Sequence, residues 1–269
     1  MRLGGRGSIE IKSEAQIQIM RRAGAVVGQT LAELAQAVRP GISTAELDAL
    51  ARESLARHGA VSSFLGYHGF PAVVCISVND EVVHGIPGDR TLVTGDLVSI
   101  DFGAIVEGWH GDAAVTVPVG EVSTRAATLA SVTEAAMWAG LGMAGSGRRL
   151  SDISHAIEAS IRSAGAYGIV EEYTGHGIGS AMHMHPPVPN HGRAGRGPEL
   201  TPGMALAIEP MAVLGAPVVR VLDDGWTVCT LDGSLAAHWE HTVAVTPTGP
   251  WVLTAVDEVR LPDPSQASG

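Results

Sequence analysis

The apolar residues near the start of the chain recur at intervals of three and four, which is the spacing of an amphipathic helix. Ser13 and Gln16 have the spacing of a capping box, so a helix is predicted to begin after Ser13 and to end at Pro40-Gly41. Ser43 and Glu46 repeat this signal and predict a second helix that ends near Gly59. The apolar stripe of the first helix comprises Ile17, Met20, Gly24, Val27, Leu31, Leu34 and Val38, and that of the second comprises Leu47, Leu50 and Leu55.

Two short apolar runs farther along the chain have the pattern of buried strands, at residues 97–100 and 113–117. The stretch from Asp101 to Asp112 lies between them, and its midpoint falls just before Gly108, where a hairpin turn is expected. The hairpin would bring the two aspartates nearly opposite each other, with Cβ atoms roughly 4.5–5.5 Å apart. Two carboxylates that close, at the ends of apolar strands, require a compensating positive charge, which a divalent metal ion could supply. For the pair taken alone, two solvated aspartates at strand ends are the favoured interpretation.

The order of elements then repeats. Two further helices are predicted at 123–144 and 151–164, and strands are predicted at about 72–78 in the first half and at 168–174, 204–209, 217–222, 226–231 and 241–247 in the second. Two helices followed by strands, twice over, indicate an α+β domain over 13–256 with similar halves at about 13–120 and 121–256. Residues 1–12 are expected to be a flexible arm and 257–269 a loose tail. The irregular stretch 186–202 could be a lid, a site rim or a passive insertion.

The two halves also place carboxylates at matching positions. Gly95 precedes Asp101 by six residues, and Gly203 precedes Glu209 by the same six, with an apolar strand between them each time. Asp112 is followed by valines at offsets three and five, and Glu240 is followed by valines at the same offsets. This duplication favours four functional carboxylates over four solvated ones.

Composition narrows the class of protein. The chain has 269 residues, 45% of them hydrophobic, and a formal net charge of −11, which argues against a nucleic-acid-binding surface. Its two cysteines are too few for a disulfide framework and fit a reducing compartment. No apolar run reaches the roughly 18 residues of a membrane span, and no apolar core follows the basic first residues as in a secretory signal. The expected location is the cytosol.

Four carboxylates need a nitrogen ligand to resemble a typical transition-metal site, and the best candidate is His176, which stands between two glycines. The predicted ligands are Asp101, Asp112, His176, Glu209 and Glu240, whose four negative charges would balance two divalent ions. Oxygen-rich ligation suits manganese or ferrous iron, with cobalt or zinc also open. His84 and His183 could each bind a substrate oxyanion or amide, or be ordinary histidines. The other eight histidines, His185, His191, His238 and His241 among them, are interpreted as ordinary.

At this point the chain resembles the type I methionine aminopeptidases, from about residue 14 to residue 254. The motifs that carry the resemblance are Leu65-Gly66-Tyr67-His68-Gly69-Phe70-Pro71, Cys75-Ile76-Ser77-Val78-Asn79, His84-Gly85-Ile86-Pro87, Gly108-Trp109-His110-Gly111-Asp112, Gly175-His176-Gly177-Ile178-Gly179, Ala207-Ile208-Glu209-Pro210-Met211, Asp224-Gly225-Trp226-Thr227-Val228 and Trp239-Glu240-His241-Thr242. The resemblance implies the pita-bread (creatinase/aminopeptidase) fold with a pseudo-twofold repeat of helix-helix-sheet units.

The resemblance also implies roles for the predicted residues. Asp112 and Glu240 would bridge two divalent metals, Asp101 would hold one of them, and His176 with Glu209 the other. A bridging hydroxide would attack the carbonyl of the first residue, Glu209 would shuttle the proton, and His84 and His183 would hold the substrate. The methionine side chain would contact Tyr67, Phe70, Cys75 and Trp226, and a monovalent cation would bind backbone near Asn79.

The expected activity is therefore removal of the N-terminal methionine from nascent peptides with a small second residue, by a monomer acting at the ribosome. Two rivals remain. A Xaa-Pro peptidase shares the five ligands but usually carries a large N-terminal domain, whereas the Tyr67 and Cys75 motifs here fit the methionine group better. A non-catalytic binding protein on the same scaffold is disfavoured because all five ligands and both histidines are present.

Overall fold

The computed structural model describes residues 7–263, and four helices in this range cover the main sheet. They are α1 Glu14–Ala37, α2 Thr44–His58, α3 Thr124–Gly142 and α4 Leu150–Ala164. Both predicted capping boxes are confirmed, with Ser13 and Ser43 as N-caps of α1 and α2. The predicted end of α2 is also confirmed, because Gly59 takes a left-handed conformation there. None of the helices among the described residues is long and apolar enough to cross a membrane.

The strands form one large curled sheet and two small ones. They are β1 Val61–Ser62, β2 Cys75–Val78, β3 Glu81–Val83, β4 Leu97–Val106, β5 Trp109–Pro118, β6 Gly168–Ile169, β7 Gly175–Gly177, β8 Met184–Val188, β9 Ala205–Ile208, β10 Met211–Val213, β11 Val219–Val221, β12 Val228–Thr230, β13 Ala236–His238, β14 Glu240–Thr246, β15 Gly249–Val252 and β16 Val259–Arg260. The large sheet runs β1-β4-β5-β14-β9-β7-β8, with β2 on β4, β15 on β14 and β16 on β15. The small sheets are β13-β10-β6 and β11-β12-β3.

Two hydrophobic clusters follow the two halves of the chain. The first packs α1 and α2 onto β2, β4 and β5, and includes the fully buried side chains Leu34, Leu47 and Phe102. The second packs α3 and α4 onto β9, β10 and β14, and includes Met137 and Ile157. The two halves meet in the middle of the large sheet, where β5 of the first half pairs with β14 of the second. The predicted repeat of two helices followed by strands is therefore the observed order of elements.

The second half departs from the predicted strands in two ways. The strand predicted at 168–174 is restricted to Gly168–Ile169, because only these residues pair with β10 and the chain then turns toward a cavity lined by Tyr173 and Thr174. The sequence patterns also predict none of β7, β8, β10, β13, β15 and β16, which have two to five residues each. Such short strands are defined by distant pairing partners, and a local pattern carries little of that information.

The described parts of both predicted terminal segments pack on the domain, which differs from a flexible arm and a loose tail. Residues 1–6 and 264–269 lie outside the described residues. The backbone N–H of Lys12 donates to the carbonyl of Gly203 at 2.8 Å, and the Glu10 carboxylate accepts from the Ser180 hydroxyl. At the other end, β16 pairs with β15, and the guanidinium of Arg260 lies 3.9 Å from the centre of the Trp251 ring. The contacts of Glu10 and Lys12 join segments far apart in sequence, whereas Trp251 and Arg260 are only nine residues apart.

The irregular stretch predicted at 186–202 begins inside β8, and most of the rest of it packs on α4. The backbone N–H groups of Leu150 and Ser151 donate to the carbonyls of Pro198 and Arg196 at 2.9 and 3.1 Å. Farther along α4, the Glu158 carboxylate accepts from the backbone N–H of Gly192. Only Pro187 of this stretch lines the large cavity described below.

Candidate metal centre

Strand register places three of the predicted acidic ligands on one face of the large sheet. Asp101 of β4 pairs with Ala114 of β5, and Ala114 pairs in turn with Glu240 of β14. Paired residues share a face of a sheet, and so do residues two apart on one strand. Asp112, two residues before Ala114, therefore faces the same side as Asp101 and Glu240.

The same rule adds the other two predicted ligands. Thr242 of β14, two residues after Glu240, pairs with Ala207 of β9, and Ala207 pairs with His176 of β7. Glu209 follows the end of β9, two residues after Ala207. The five side chains thus belong to five consecutive strands of the sheet, β4, β5, β14, β9 and β7, or in the case of Glu209 directly follow one, and point to one side of it.

The prediction that Asp101 and Asp112 lie nearly opposite each other is off by two residues in register. Asp112 pairs with Gly103, and Asp101 with Ala114, because the two-residue turn is Glu107-Gly108. Both turn residues have positive φ, 49° and 81°, as a tight hairpin turn of this kind requires. The aspartates are therefore diagonal neighbours on one face, and their carboxyl groups still come within hydrogen-bond reach.

The acids of this centre lie in surroundings that disfavour their ionised forms. Burial raises the pKa of Asp101 to about 7. Burial raises the pKa values of Asp112, Glu209 and Glu240 well above their usual range, and neighbouring carboxylates add to the effect. Asp101 Oδ1, Asp112 Oδ1 and Glu240 Oε1 are buried without a hydrogen-bond partner. Among the described residues, no lysine or arginine side chain lines the cavity beside these acids. Such a donor set fits divalent cations, which would supply the missing positive charge.

His176 presents a free lone pair to this acidic cluster. Its Nδ1 lies 3.0 Å from the carbonyl oxygen of Gly177, which can only accept, so Nδ1 carries the proton. Nε2 is then an acceptor, and it lies 3.4 Å from Glu209 Oε1. Burial lowers the pKa of His176 to about 4, which keeps the ring neutral at pH 7. Two lone pairs facing each other at this distance favour a cation or a proton between them.

The ligand atoms fall into two overlapping groups. Asp112, His176 and Glu240 each offer an atom within 4.8 Å of the others, and so do Glu209, His238 and Glu240. Asp101 adjoins the first group through Asp112. All five predicted ligands therefore converge, and Glu240 belongs to both groups.

The glycines that bracket His176 have a packing reason. A Cβ on Gly175 would lie 2.4 Å from the carbonyl oxygen of Ala207, and a Cβ on Gly177 would lie 2.2 Å from that of His185. Strand β7 can therefore pass between β8 and β9 only without side chains at these positions. The two glycines therefore let the neighbouring backbones approach β7, and His176 lies between them on this strand.

One cavity of about 410 Å³ opens onto the centre, and all eleven predicted site residues line it. Besides the five candidate ligands, they are His84, His183, Tyr67, Phe70, Cys75 and Trp226. The rings of Phe70 and Trp226 meet edge to face with centroids 5.1 Å apart. The Tyr67 hydroxyl lies 2.8 Å from Nδ1 of His183, and the rings of His183 and His176 are 4.3 Å apart. Burial lowers the pKa of His84 to about 4 and that of His183 to about 2, so both are neutral at pH 7.

The sequence interpretation missed several residues at this site. Phe64, Tyr173 and Met211 line the cavity, and the ring of Tyr173 meets that of His84 with centroids 5.5 Å apart. His238, interpreted as ordinary, has its Nε2 3.9 Å from Glu209 Oε2 and 3.9 Å from Glu240 Oε2. Its position two residues before Glu240 was the only sequence signal that could have placed it here.

Comparison with known proteins bears on what such a centre does. A sequence model of metallopeptidase family M24 matches residues 18–247. The methionine aminopeptidase of Clostridium acetobutylicum is 51% identical over 247 residues, which are 91% of this chain and 98% of that protein. The crystal structure of methionine aminopeptidase from Thermotoga maritima shares 40% of its sequence with a TM-score of 0.90, and the match covers 92% of this chain and 100% of that one.

A more distant structure shares the fold alone. The prolidase from Pyrococcus furiosus has 21% sequence identity and a TM-score of 0.74, and the match covers 92% of this chain but 66% of that one. The remaining third of that protein lies outside the match.

Proposed function

This chain belongs to metallopeptidase family M24 and, within it, to the methionine aminopeptidases, and on that premise we propose that its cavity binds the first residue of a peptide and releases an N-terminal methionine. Its architecture is the pita-bread fold. The observation that carries the proposal is the convergence of four carboxylates and one imidazole, from five neighbouring strands or the residue that directly follows one, beside an apolar cavity.

The proposed ligands are Asp101, Asp112, His176, Glu209 and Glu240, which together would hold two divalent cations. Four carboxylates offset the charge of two such ions, and three of their buried oxygens have no other partner. Asp112 and Glu240 are the proposed bridging ligands. Glu240 suits this role because it takes part in both groups of converging atoms. When bound, divalent cations at such a site acidify a water molecule and polarise the carbonyl group to be cleaved. The donor set admits manganese, iron(II), cobalt or zinc.

The side chains around the ligands would handle the substrate. Glu209 is proposed to hold and move the proton, a role that family membership implies and that its place in the lining of the cavity allows. His84 and His183 are proposed to hold the peptide group. Both are neutral and line the same cavity, so each can donate one N–H to a developing oxyanion or accept a hydrogen bond from the substrate amide.

The apolar part of the cavity suits the methionine side chain. Phe64, Phe70, Cys75 and Met182 form one buried cluster, and Tyr67 and Trp226 pack against it. Aromatic rings and sulfur atoms make favourable contacts with a thioether, and an unbranched chain can follow an irregular wall. The preference for a small second residue is proposed from family membership.

The test is peptide hydrolysis by the full chain after chelation and readdition of one metal at a time. With Mn(II) or Co(II), Met-Ala-Ser should lose methionine, whereas Xaa-Pro peptides should remain intact. Cleavage of the Xaa-Pro peptides alone would instead support a peptidase of the prolidase type. If no metal released methionine from any peptide, the catalytic proposal would fail in favour of a binding protein.

We further propose that the enzyme acts as a monomer in the cytosol on nascent peptides at the ribosome. Both cysteines are buried and free, which fits a reducing compartment. A monovalent cation is proposed at the loop of Asn79, whose backbone has a φ of 63° and whose carbonyl accepts from Ala236. Size-exclusion chromatography, co-sedimentation with ribosomes and activity in potassium against tetramethylammonium buffers test these three points in turn.

A further inference from the structure

His238 is a buried side chain whose ring nitrogens have no hydrogen-bond partner. It ends β13, is 1% exposed, and both Nδ1 and Nε2 lack a partner among the described residues. Its Nε2 points at the candidate metal centre, 3.9 Å from Glu209 Oε2 and 3.9 Å from Glu240 Oε2. Neither the predicted ligand set nor the predicted substrate contacts use this residue.

The backbone holds the ring in this place. The N–H of His238 donates to the hydroxyl of Thr116 at 3.0 Å and to that of Ser99 at 3.3 Å. The Thr116 hydroxyl donates in return to the His238 carbonyl at 2.6 Å. His238 also pairs with Met211, two residues after Glu209. The position of the ring is therefore tied to the strands that carry the acids.

A buried imidazole in either protonation state carries at least one N–H, and a buried donor without an acceptor destabilises the fold. The carboxylate oxygens at 3.9 Å are the acceptors toward which Nε2 is directed. The two Oε2 atoms face His238, whereas Glu209 Oε1 faces His176 and Glu240 Oε1 has no partner. Each carboxylate therefore has one oxygen near His238, here called the outer oxygen, and one that faces away from it, here called the inner oxygen.

We propose that His238 is a positioning residue, which donates its Nε2–H to the outer oxygens of Glu209 and Glu240 and thereby leaves their inner oxygens to the cations. This inference rests on the proposed function, because it assigns a partner to two of the proposed ligands. It requires the ring and the carboxylates to close the remaining distance by about 1 Å, to the usual 2.7–3.2 Å of an N–H···O bond.

Direct ligation by His238 is the competing interpretation. Two atoms bound to one ion at about 2.1 Å lie no more than about 4.2 Å apart, so the distances of 3.9 Å would also allow a shared cation. A ligating histidine, however, almost always donates its other N–H to an acceptor, and Nδ1 of His238 has none among the described residues. A donor role for Nε2 leaves Nδ1 as a bare acceptor, which costs less than an orphaned N–H.

The experiment is a titration of the chelator-treated full chain with Co(II), followed by calorimetry and by the visible absorption of the ion. The variants are His238→Gln, which keeps an N–H donor, and His238→Leu, which removes it. The matched control is His241→Gln, because the neighbouring His241 ring lies on the other face and pairs with Thr254 at 2.8 Å. Circular dichroism and thermal melting establish that each variant is folded.

The His238→Leu variant should bind Co(II) about 10- to 100-fold more weakly, and the His238→Gln variant within about threefold of the wild type, as expected for a partner that orients ligands. The His241→Gln control should match the wild type. Wild-type affinity and an unchanged Co(II) spectrum in the His238→Leu variant would overturn the proposal. Equal losses in both His238 variants, with altered absorption bands, would overturn it in favour of direct ligation.

A measurement on the wild type decides the matter if the His238→Leu variant does not fold. In a crystal structure of the Co(II)-loaded enzyme, Nε2 should lie within about 3.2 Å of an Oε2 atom. A direct bond from Nε2 to the ion, or a separation from both oxygens above 3.5 Å, would contradict the positioning role. Hydrolysis of Met-Ala-Ser by the wild type is scored separately. Its failure with the Co(II) pattern intact would refute the proposed activity and leave the role of His238 standing.

Discussion

Replacement of Asp101 by asparagine should make the metal-free protein less sensitive to rising pH. Burial raises the pKa of Asp101 from 3.8 to about 7 in the folded chain. Below pH 3.8 both the folded and the unfolded chain hold this proton, so its contribution to stability is fully present. Between pH 3.8 and pH 7 the unfolded chain releases the proton while the folded chain retains it, and the free energy of unfolding falls as the pH rises.

The size of the effect follows from the same pKa. Each pH step across this window costs about 1.36 kcal/mol for one proton, so Asp101 accounts for a loss of about 2 kcal/mol between pH 5.5 and pH 7. Asp112, Glu209 and Glu240 change stability in the same direction, because their pKa values are also raised. Asparagine keeps the shape of the side chain but does not ionise. The substitution therefore removes the contribution of Asp101 to the pH dependence of stability.

The assay is urea unfolding followed by tryptophan fluorescence, at pH 5.5 and pH 7.5 with a chelator present. From pH 5.5 to pH 7.5, the free energy of unfolding of the wild type should fall by about 2 kcal/mol more than that of the Asp101→Asn variant. Asp89→Asn is the control, because it removes the same charge from an exposed position. Added Mn(II) at pH 7.5 should restore the wild type more than the variant, since binding to the folded state adds stability. Equal pH dependence in the two proteins would refute the argument that burial governs this carboxyl.

Three further predictions concern activity, metal content and packing. The His84→Ala variant should keep its metal, measured by atomic emission, and lose roughly 100-fold or more in kcat on Met-Ala-Ser, as for one electrostatic group; loss of metal would contradict this role. The Glu240→Ala variant should lose metal after dialysis, and a fully loaded variant would contradict a bridging ligand. The Gly177→Ala variant should unfold with about 1–3 kcal/mol less free energy in urea, because its Cβ would meet the His185 carbonyl oxygen. The Gly88→Ala control, whose Cβ meets open space, should not, and equal stabilities would refute the packing argument.

Features set by neighbours in sequence could be predicted from the sequence. The caps at Ser13 and Ser43 are examples, because each joins residues three apart. The four carboxylates could be predicted because the two halves repeat them at equal offsets. This repeat is visible in the sequence before the strand pairing is known. The position of the Glu107-Gly108 turn was predicted to within one residue. That one residue was enough to turn an opposed pair of aspartates into a diagonal one.

Features set by distant pairing could not be predicted in this way. His238 reaches the acids only because the three residues of β13 pair with β10, and neither strand has a recognisable pattern. The packing of Glu10 and Lys12 depends likewise on Ser180 and Gly203, which lie far along the chain. In both cases the decisive contact joins segments whose local sequences are unremarkable.

The origin of the five donors on five adjacent strands has a consequence for assembly. Asp101 and Glu240 are the first and the last of these residues in the sequence and are far apart in the chain. Neither half of the chain supplies enough donors to hold two ions. A fragment that ended before β14 would keep Asp101, Asp112, His176 and Glu209 but would lack the acid shared by both groups of atoms. Tight uptake of a pair of ions by this chain would therefore require β14 to be in its place in the sheet, so metal content would distinguish the complete sheet from one that lacks this strand.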